Sequence, residues 1–237
     1  MRGLALALLP GMNTTTFSLL HRRTARGFTL IELLASITIV ALLAALLMSG
    51  LGNIQARGRA VKCVANLRQI AVAAQSWSGE NNQQTLPAFL NGETGFFDPN
   101  TWTGLLAPYL SYPPIQTLTS VSQMPVFVCP ENPLRGGYGQ NYLYLSWSPK
   151  ASYGHWTPYS SVKQPSQTIF FTDNYTIGNP LKWRGFVRPP SMNSQADSMP
   201  SFVHPGKTAN VLWLDGHITS EKNDSAMTKD DKLWDTN

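Results

Sequence analysis

The longest apolar run lies near the start of the chain. Phe28 to Leu51 reads FTLIELLASITIVALLAALLMSGL, twenty-four residues with a single charge, Glu32. At about 1.5 Å per residue, a helix of that length is about 36 Å long, enough to cross a bilayer. Gly50 and Gly52 loosen the pattern. It resumes with Val61, Val64, Leu67, Ile70, Ala71, Ala74 and Trp77, spaced by threes and fours along one face of an amphipathic helix. Arg59, Lys62, Arg68 and Gln69 fall off that stripe. The polar stretch Ser78–Gln84, SGENNQQ, ends it. The pattern predicts one long helix from Thr29 to about Trp77, membrane-embedded first and packed against a sheet second.

Beyond Thr85 the periods become short and turns frequent. TWTGLLAPYL (Thr101–Leu110) reads as a short helix or turn ending near Pro108. MPVFVCP (Met124–Pro130) reads as a short strand with Cys129 at its end, and YGQNYLYLSW (Tyr138–Trp147) as a second strand. QTIFFTD (Gln167–Asp173) is a stronger one. TANVLWLDGHITS (Thr208–Ser220) reads strand, Asp-Gly turn, strand, with both central turn residues at positive φ. The tail from Glu221 is polar apart from Leu233–Trp234, which predicts a loose end. The expected fold class is α+β: a long N-terminal helix packed on a small antiparallel sheet. The divisions are 1–27, 28–52, 53–79, 80–220 and 221–237.

Composition changes this picture little. Hydrophobic residues make up 43% of the 237, enough for a core, and charged residues only 13%. The net charge of +5 looks basic, but residues 1–27 hold Arg2, Arg22, Arg23 and Arg26 and no acid. The remainder is nearly balanced, at fourteen basic against thirteen acidic residues. The basicity therefore belongs mainly to the N-terminal segment and argues against nucleic acid as a partner. His21, Arg22, Arg23 and Arg26 precede the apolar run, which holds its N-terminal side in the cytoplasm, although Arg57, Arg59, Lys62 and Arg68 follow it.

Glu32 is the anomaly. A carboxylate in hydrocarbon costs about 2.5–3.5 kcal/mol even on lenient scales, so it must be protonated or paired. No A-x-A cleavage site follows the apolar run; the small residue that stands out is Gly27, before it. The stretch RGFTLIELL, Arg26 to Leu34, resembles the type IV prepilin leader and processing site. Gly before the cut, an aromatic residue after it, Thr-Leu and a Glu at the fifth mature position match together. The resemblance implies cleavage after Gly27 by a membrane prepilin peptidase and N-methylation of Phe28. The uncut apolar segment stays as membrane anchor and later becomes filament core. It also implies a pair between Glu32 of one subunit and the Phe28 amine of a neighbour. Within one chain that amine is about one helical turn from Glu32. Translation is expected to start at Met12, which gives the leader MNTTTFSLLHRRTARG.

KCVANLRQIAVAAQSW (Lys62–Trp77), VFVCP (Val126–Pro130), YGQNY (Tyr138–Tyr142) and HPGKTANVLWLDGHI (His204–Ile218) resemble pseudopilin-like proteins with a C-terminal H-X9-DG signature. The signature hairpin would use His204, Asp215 and Gly216. Here ten residues, not nine, separate His204 from Asp215, which points to one extra residue in the Pro-Gly-Lys turn. The resemblance implies a structural subunit of a type II secretion-like or type IV pilus-like filament. Its partners would be other pseudopilin subunits, homo- or hetero-assembled, an inner-membrane assembly platform, and membrane lipid. Cys63 and Cys129, far apart and outside any CxxC pattern, are expected to form a disulfide stapling helix to sheet if the domain lies outside the cytoplasm. Closing a loop of about 65 residues would contribute roughly 3–4 kcal/mol.

No cofactor is assigned. Calcium or zinc would have to draw on His204, Asp215 and His217, but Asp215 is already explained as a turn residue, and the acids are too sparse for a calcium loop. No GxSxG, HExxH or P-loop occurs. The alternative to a structural subunit is a membrane-anchored periplasmic metal-dependent hydrolase or ligand-binding protein using His155, Asp173, His204, Asp215 and His217.

Overall fold

The computed structural model describes residues 27–89, 98–117, 123–131, 137–146, 156–175, 185–192, 198–223 and 226–236. The expected leader up to Arg26, and His155, lie outside them. The chain divides into two compact units, 1–48 and 49–237.

Helix α1 runs from Leu30 to Glu80. Its first part is apolar all round and exposed: Leu30, Ile31, Leu42, Leu47 and Ile54 are among the largest exposed hydrophobic side chains. One helix in the described residues is thus long and apolar enough to cross a membrane. From Cys63 onward the helix is one-sided. Cys63, Leu67, Ile70, Ala71, Ala74 and Trp77 are buried, while Lys62, Arg68 and Gln69 face outward. The expected stripe needs one correction. Val61 is 70% exposed, and the buried position at that turn is Cys63. A stripe continued back from Leu67 by four residues reaches 63, not 61.

The second unit centres on a six-stranded sheet in the order β3-β1-β2-β5-β6, with β4 also paired to β2. The strands are β1 (Tyr138–Asn141), β2 (Ile169–Tyr175), β3 (Phe186–Val187), β4 (Met199–Pro200), β5 (Thr208–Trp213) and β6 (Ile218–Lys222). The sheet is mixed rather than antiparallel, because β1 and β3 run parallel. Two faces are distinct. Phe170, Phe171, Leu212 and Leu214 pack with the buried stripe of α1. Ile169, Val187, Val211 and Trp213 pack with Met227 and Trp234 on the other face. A register shift between Ile169 and Phe171 breaks the strict alternation, so consecutive Phe170 and Phe171 both reach the helix side, 4.6 Å apart between ring centroids.

Between α1 and the sheet strands lie helix α2 (Trp102–Leu106) and a 3-10 turn at Pro108–Leu110, as the sequence suggests. MPVFVCP is not a strand. Pro125 opens a 3-10 turn through Phe127, and only Val128 bridges, to Gly137. Proline at the first position fixes φ for a helical turn and removes the ladder donor. In YGQNYLYLSW the strand stops at Asn141, and Tyr142–Leu145 forms one helical turn, α3. Gly139 is required where it stands: a Cβ there would lie 2.8 Å from Asn174 Nδ2 and 2.8 Å from the Phe186 carbonyl carbon. The β5–β6 turn also differs from the expected two-residue type. Only Gly216 has positive φ, Gly216 N–H donates to Trp213 O at 2.9 Å, and Trp213 N–H donates to His217 O at 3.0 Å. This is a three-residue Leu214-Asp215-Gly216 turn, with glycine in the left-handed position.

The C-terminal tail is part of the core rather than loose. Met227 and Trp234 are fully buried. Asn141 Nδ2 donates to Trp234 O at 2.8 Å, and Ile169 N–H donates to Leu233 O at 2.7 Å. Met227 and Trp234, with Leu233, Phe202 and Tyr144 packed beside them, cover the sheet face opposite α1. Trp234→Ala should therefore destabilise the detergent-solubilised chain by about 3–5 kcal/mol in chemical denaturation. A loss below about 1 kcal/mol, the scale of a surface change, would show that the tail is dispensable.

Candidate functional site

The N-terminal segment is organised by Thr29 and Glu32. Thr29 N–H and its hydroxyl donate to Glu32 Oε2 at 3.0 and 2.8 Å, and Glu32 N–H donates back to Thr29 Oγ1 at 3.3 Å. This is a reciprocal capping box, Thr-x-x-Glu, at the start of α1. It satisfies helix-start donors that a membrane helix cannot leave to water. Gly27 and Phe28 precede it in extended chain, with Phe28 79% exposed. The sequence reading singled out Glu32 but missed Thr29 as its intrachain partner, although the Thr-x-x-Glu spacing is legible.

A second constellation lies between α1 and the sheet. Cys63 from the buried stripe of α1, Cys129 from the segment after the 3-10 turn, Asp173 from β2 and His204 from the turn before β5 converge. Their ligand-type atoms all lie within 4.8 Å of one another, and all four residues are buried. Cys63 Sγ donates to Asp173 Oδ1 at 3.1 Å. His204 Nε2 is 3.0 Å from Asp173 Oδ2 and 3.6 Å from Cys129 Sγ. Both cysteines are free thiols. The structure thus brings together the two cysteines of the expected bridge, as thiols.

Local structure explains the convergence. Asn66, one turn after Cys63, donates to Pro125 O and Val128 O at 3.1 and 3.2 Å, which holds the Cys129 segment against the helix. Phe171 and Asp173, two apart on β2, share the face toward α1. Asn210, opposite on β5, donates its N–H to Asp173 Oδ2 at 2.7 Å. His204 closes a tight turn, its N–H donating to Thr208 O at 3.1 Å, with Gly206 and Lys207 both at positive φ. Tyr138 from β1 reaches Cys63 O with its hydroxyl at 3.3 Å. His204 Nδ1 is buried without a partner among the described residues.

The electrostatics follow from burial and proximity. Burial works against a charged His204, but hydrogen bonds to Asp173 and Cys129, with the Asp173 charge, outweigh it and lift the imidazole to about 10. Burial pushes the Cys63 thiol far up. The neighbouring Cys63 thiol, helped by His204 and opposed by burial, brings Cys129 down to about 7. Cys129 is therefore the more acidic thiol of the pair.

The sequence candidates divide. His204 and Asp173 meet in this cluster, whereas Asp215 and His217 form a separate pair at the β5–β6 turn. There His217 Nδ1 is 2.6 Å from Asp215 Oδ1, and its ring stacks on Trp213 with centroids 5.4 Å apart. Three-residue turn geometry presents that pair outward, with side chains 42% and 36% exposed. His204, Asp215 and His217, which the sequence offered only as weak metal candidates, do not come together among the described residues. Arg59 and Glu131 form a further ion pair, with Arg59 Nη2 3.3 Å from Glu131 Oε1.

Residues 22–48 match the family model of the prokaryotic N-terminal methylation motif. The matched segment is similar to the N-terminal segment of prepilin-like proteins. The motif implies processing by a prepilin peptidase and assembly with other pilin-like subunits. No curated protein and no solved structure matches the chain.

Thr29→Ala removes the hydroxyl half of the capping box. Amide exchange of Glu32, followed by NMR in micelles, should accelerate severalfold while exchange near Leu42 is unchanged. Equal exchange at Glu32 in both proteins would contradict the cap.

Proposed function

We propose that this chain is a pseudopilin. It is a non-enzymatic subunit made as an inner-membrane precursor, cut after Gly27, methylated at Phe28, and assembled into a type II secretion-like or type IV pilus-like filament. The reading is supported chiefly by the methylation motif over residues 22–48 together with Glu32 as the single charge between Phe28 and Leu51. The basic N-terminal side stays cytoplasmic, and the sheet domain lies in the periplasm.

Glu32 changes partner during this life cycle. In the single subunit its carboxylate is satisfied by Thr29. Cleavage creates a positive amine at Phe28. In the filament, Glu32 of one subunit pairs with the Phe28 amine of its neighbour. That exchange offsets the cost of carrying a carboxylate into an apolar stack, and it sets axial register as well as adding attraction.

Glu32→Ala should leave processing and membrane insertion intact, because Gly27, Phe28 and the apolar run are untouched. It should reduce incorporation into filaments by at least about tenfold, measured as sheared or cross-linked filament per membrane-bound subunit, if the pair contributes about 1.4 kcal/mol or more. Normal incorporation would count against the pairing.

A further inference from the structure

We propose that Cys63, Cys129, Asp173 and His204 form a closed, tetrahedral zinc site that fastens the periplasmic half of α1 to the sheet. The geometry carries the proposal. Zinc bonds of about 2.3 Å to sulfur and about 2.0–2.2 Å to nitrogen or oxygen place neighbouring ligand atoms roughly 3.3–3.8 Å apart on a tetrahedron. Three of the separations are 3.1 Å (Cys63 Sγ to Asp173 Oδ1), 3.0 Å (His204 Nε2 to Asp173 Oδ2) and 3.6 Å (Cys129 Sγ to His204 Nε2), the first two ending on the two oxygens of the Asp173 carboxylate, one of which would bind. No two of the four ligand atoms are further apart than 4.8 Å. Rotation of the side chains has to draw the widest pair in by up to about 1 Å to reach the coordination edges.

The donor set selects the ion. Two sulfurs and an imidazole are soft or borderline ligands, which suit zinc and disfavour calcium or magnesium, whose ligands are oxygens. On binding, both thiols and Nε2 of the His204 imidazolium lose their protons, and His204 coordinates through Nε2, so proton release accompanies metal uptake. Two thiolates, the carboxylate and Zn²⁺ leave the site with one net negative charge. The Asn210 N–H donated to Asp173 Oδ2 at 2.7 Å supports that carboxylate from outside the ligand shell. Tyr138 holds the Cys63 carbonyl and Asn66 the Cys129 segment, so both sulfur-bearing backbones are fixed before the metal arrives.

Closure assigns the role. All four ligands are protein side chains and all are buried, whereas a catalytic zinc keeps a position open to water or substrate. The site therefore staples rather than catalyses. It ties α1, the Val128–Pro130 segment, β2 and the turn before β5, the same parts that a Cys63–Cys129 disulfide would tie in part. The two chemistries are mutually exclusive at these sulfurs, which makes the proposal decidable.

The test uses the full-length chain, purified anaerobically in detergent without added reductant or chelator and loaded with zinc chloride, then in parallel with cobalt(II) chloride. The expected result is about one zinc per chain by mass spectrometric metal analysis, and two thiols titratable only after denaturation with chelator. The cobalt form should show the intense visible bands of tetrahedral thiolate coordination. Cys129→Ser and His204→Ala should each lower metal content at least about tenfold, whereas His217→Ala, at the separate hairpin pair, should retain it. Three results overturn the proposal. Absence of metal with no titratable thiols would assign a disulfide. Absence of metal with two titratable thiols would leave a hydrogen-bonded core. Full metal retention in Cys129→Ser would place the ion elsewhere. The first two results are read on the wild-type protein, so they stand even where a variant fails to fold.

Discussion

One helix has to satisfy two solvents. From Leu30 through Met48 the side chains of α1 are mostly apolar and exposed, as a lipid-facing segment must be. From Cys63 to Trp77 the same helix is buried on one face only. A hydrophobic stripe buries helix against sheet in water, and an all-round apolar surface does the same against lipid. Each half also meets a polar problem where apolar packing alone fails. At the membrane end it is Glu32, and at the sheet end it is the Cys63, Cys129, Asp173, His204 cluster. In both places most polar groups are satisfied by neighbours, Thr29 with Glu32 and Asp173 with Asn210 and His204, while His204 Nδ1 is left without a partner among the described residues. An unpartnered polar atom in either setting costs about 1–3 kcal/mol.

The sheet domain is built so that its two faces are closed by different parts of the chain. The α1 stripe covers one, and the tail around Met227 and Trp234 covers the other. The bulge in β2 makes this work. It turns Ile169 toward the tail while sending Phe170 and Phe171 to the helix. Asp173 follows two positions later on the helix side, which is how a charged residue comes to stand beside Cys63.

What was legible in the sequence was local. The long helix, QTIFFTD and the Asp-Gly hairpin are each set by periodicity and turn chemistry within a few residues, and each appears in the fold. The errors arose where a single residue or a distant contact overrode the pattern. Pro125 converts an apolar strand-like run into a 3-10 turn. Trp234 and Met227 turn a polar tail into a cap, because two side chains of that size outweigh the charged residues around them. The buried cluster was hardest to foresee. Its members are 66, 44 and 31 positions apart along the chain, with no spacing motif between any two. Asp173 sits in a strand and His204 in a turn, and only the folded registry of β2 against β1 and β5 aims them at Cys63. The sequence offered the cysteines as a pair and the histidine as part of a hairpin signature, but nothing local joined them.

The filament account rests on a chemical event at one bond. The Phe28 amine does not exist until Gly27 is removed, and Glu32 has no cationic partner in the apolar stack before then. N-terminal mass spectrometry of the protein recovered from its native membrane tests this most directly. The account predicts a mature chain beginning with N-methylated Phe28, with residues 1–27 gone. A chain that retains residues before Gly27, or one cut after Met48 on the far side of the apolar run, would contradict it.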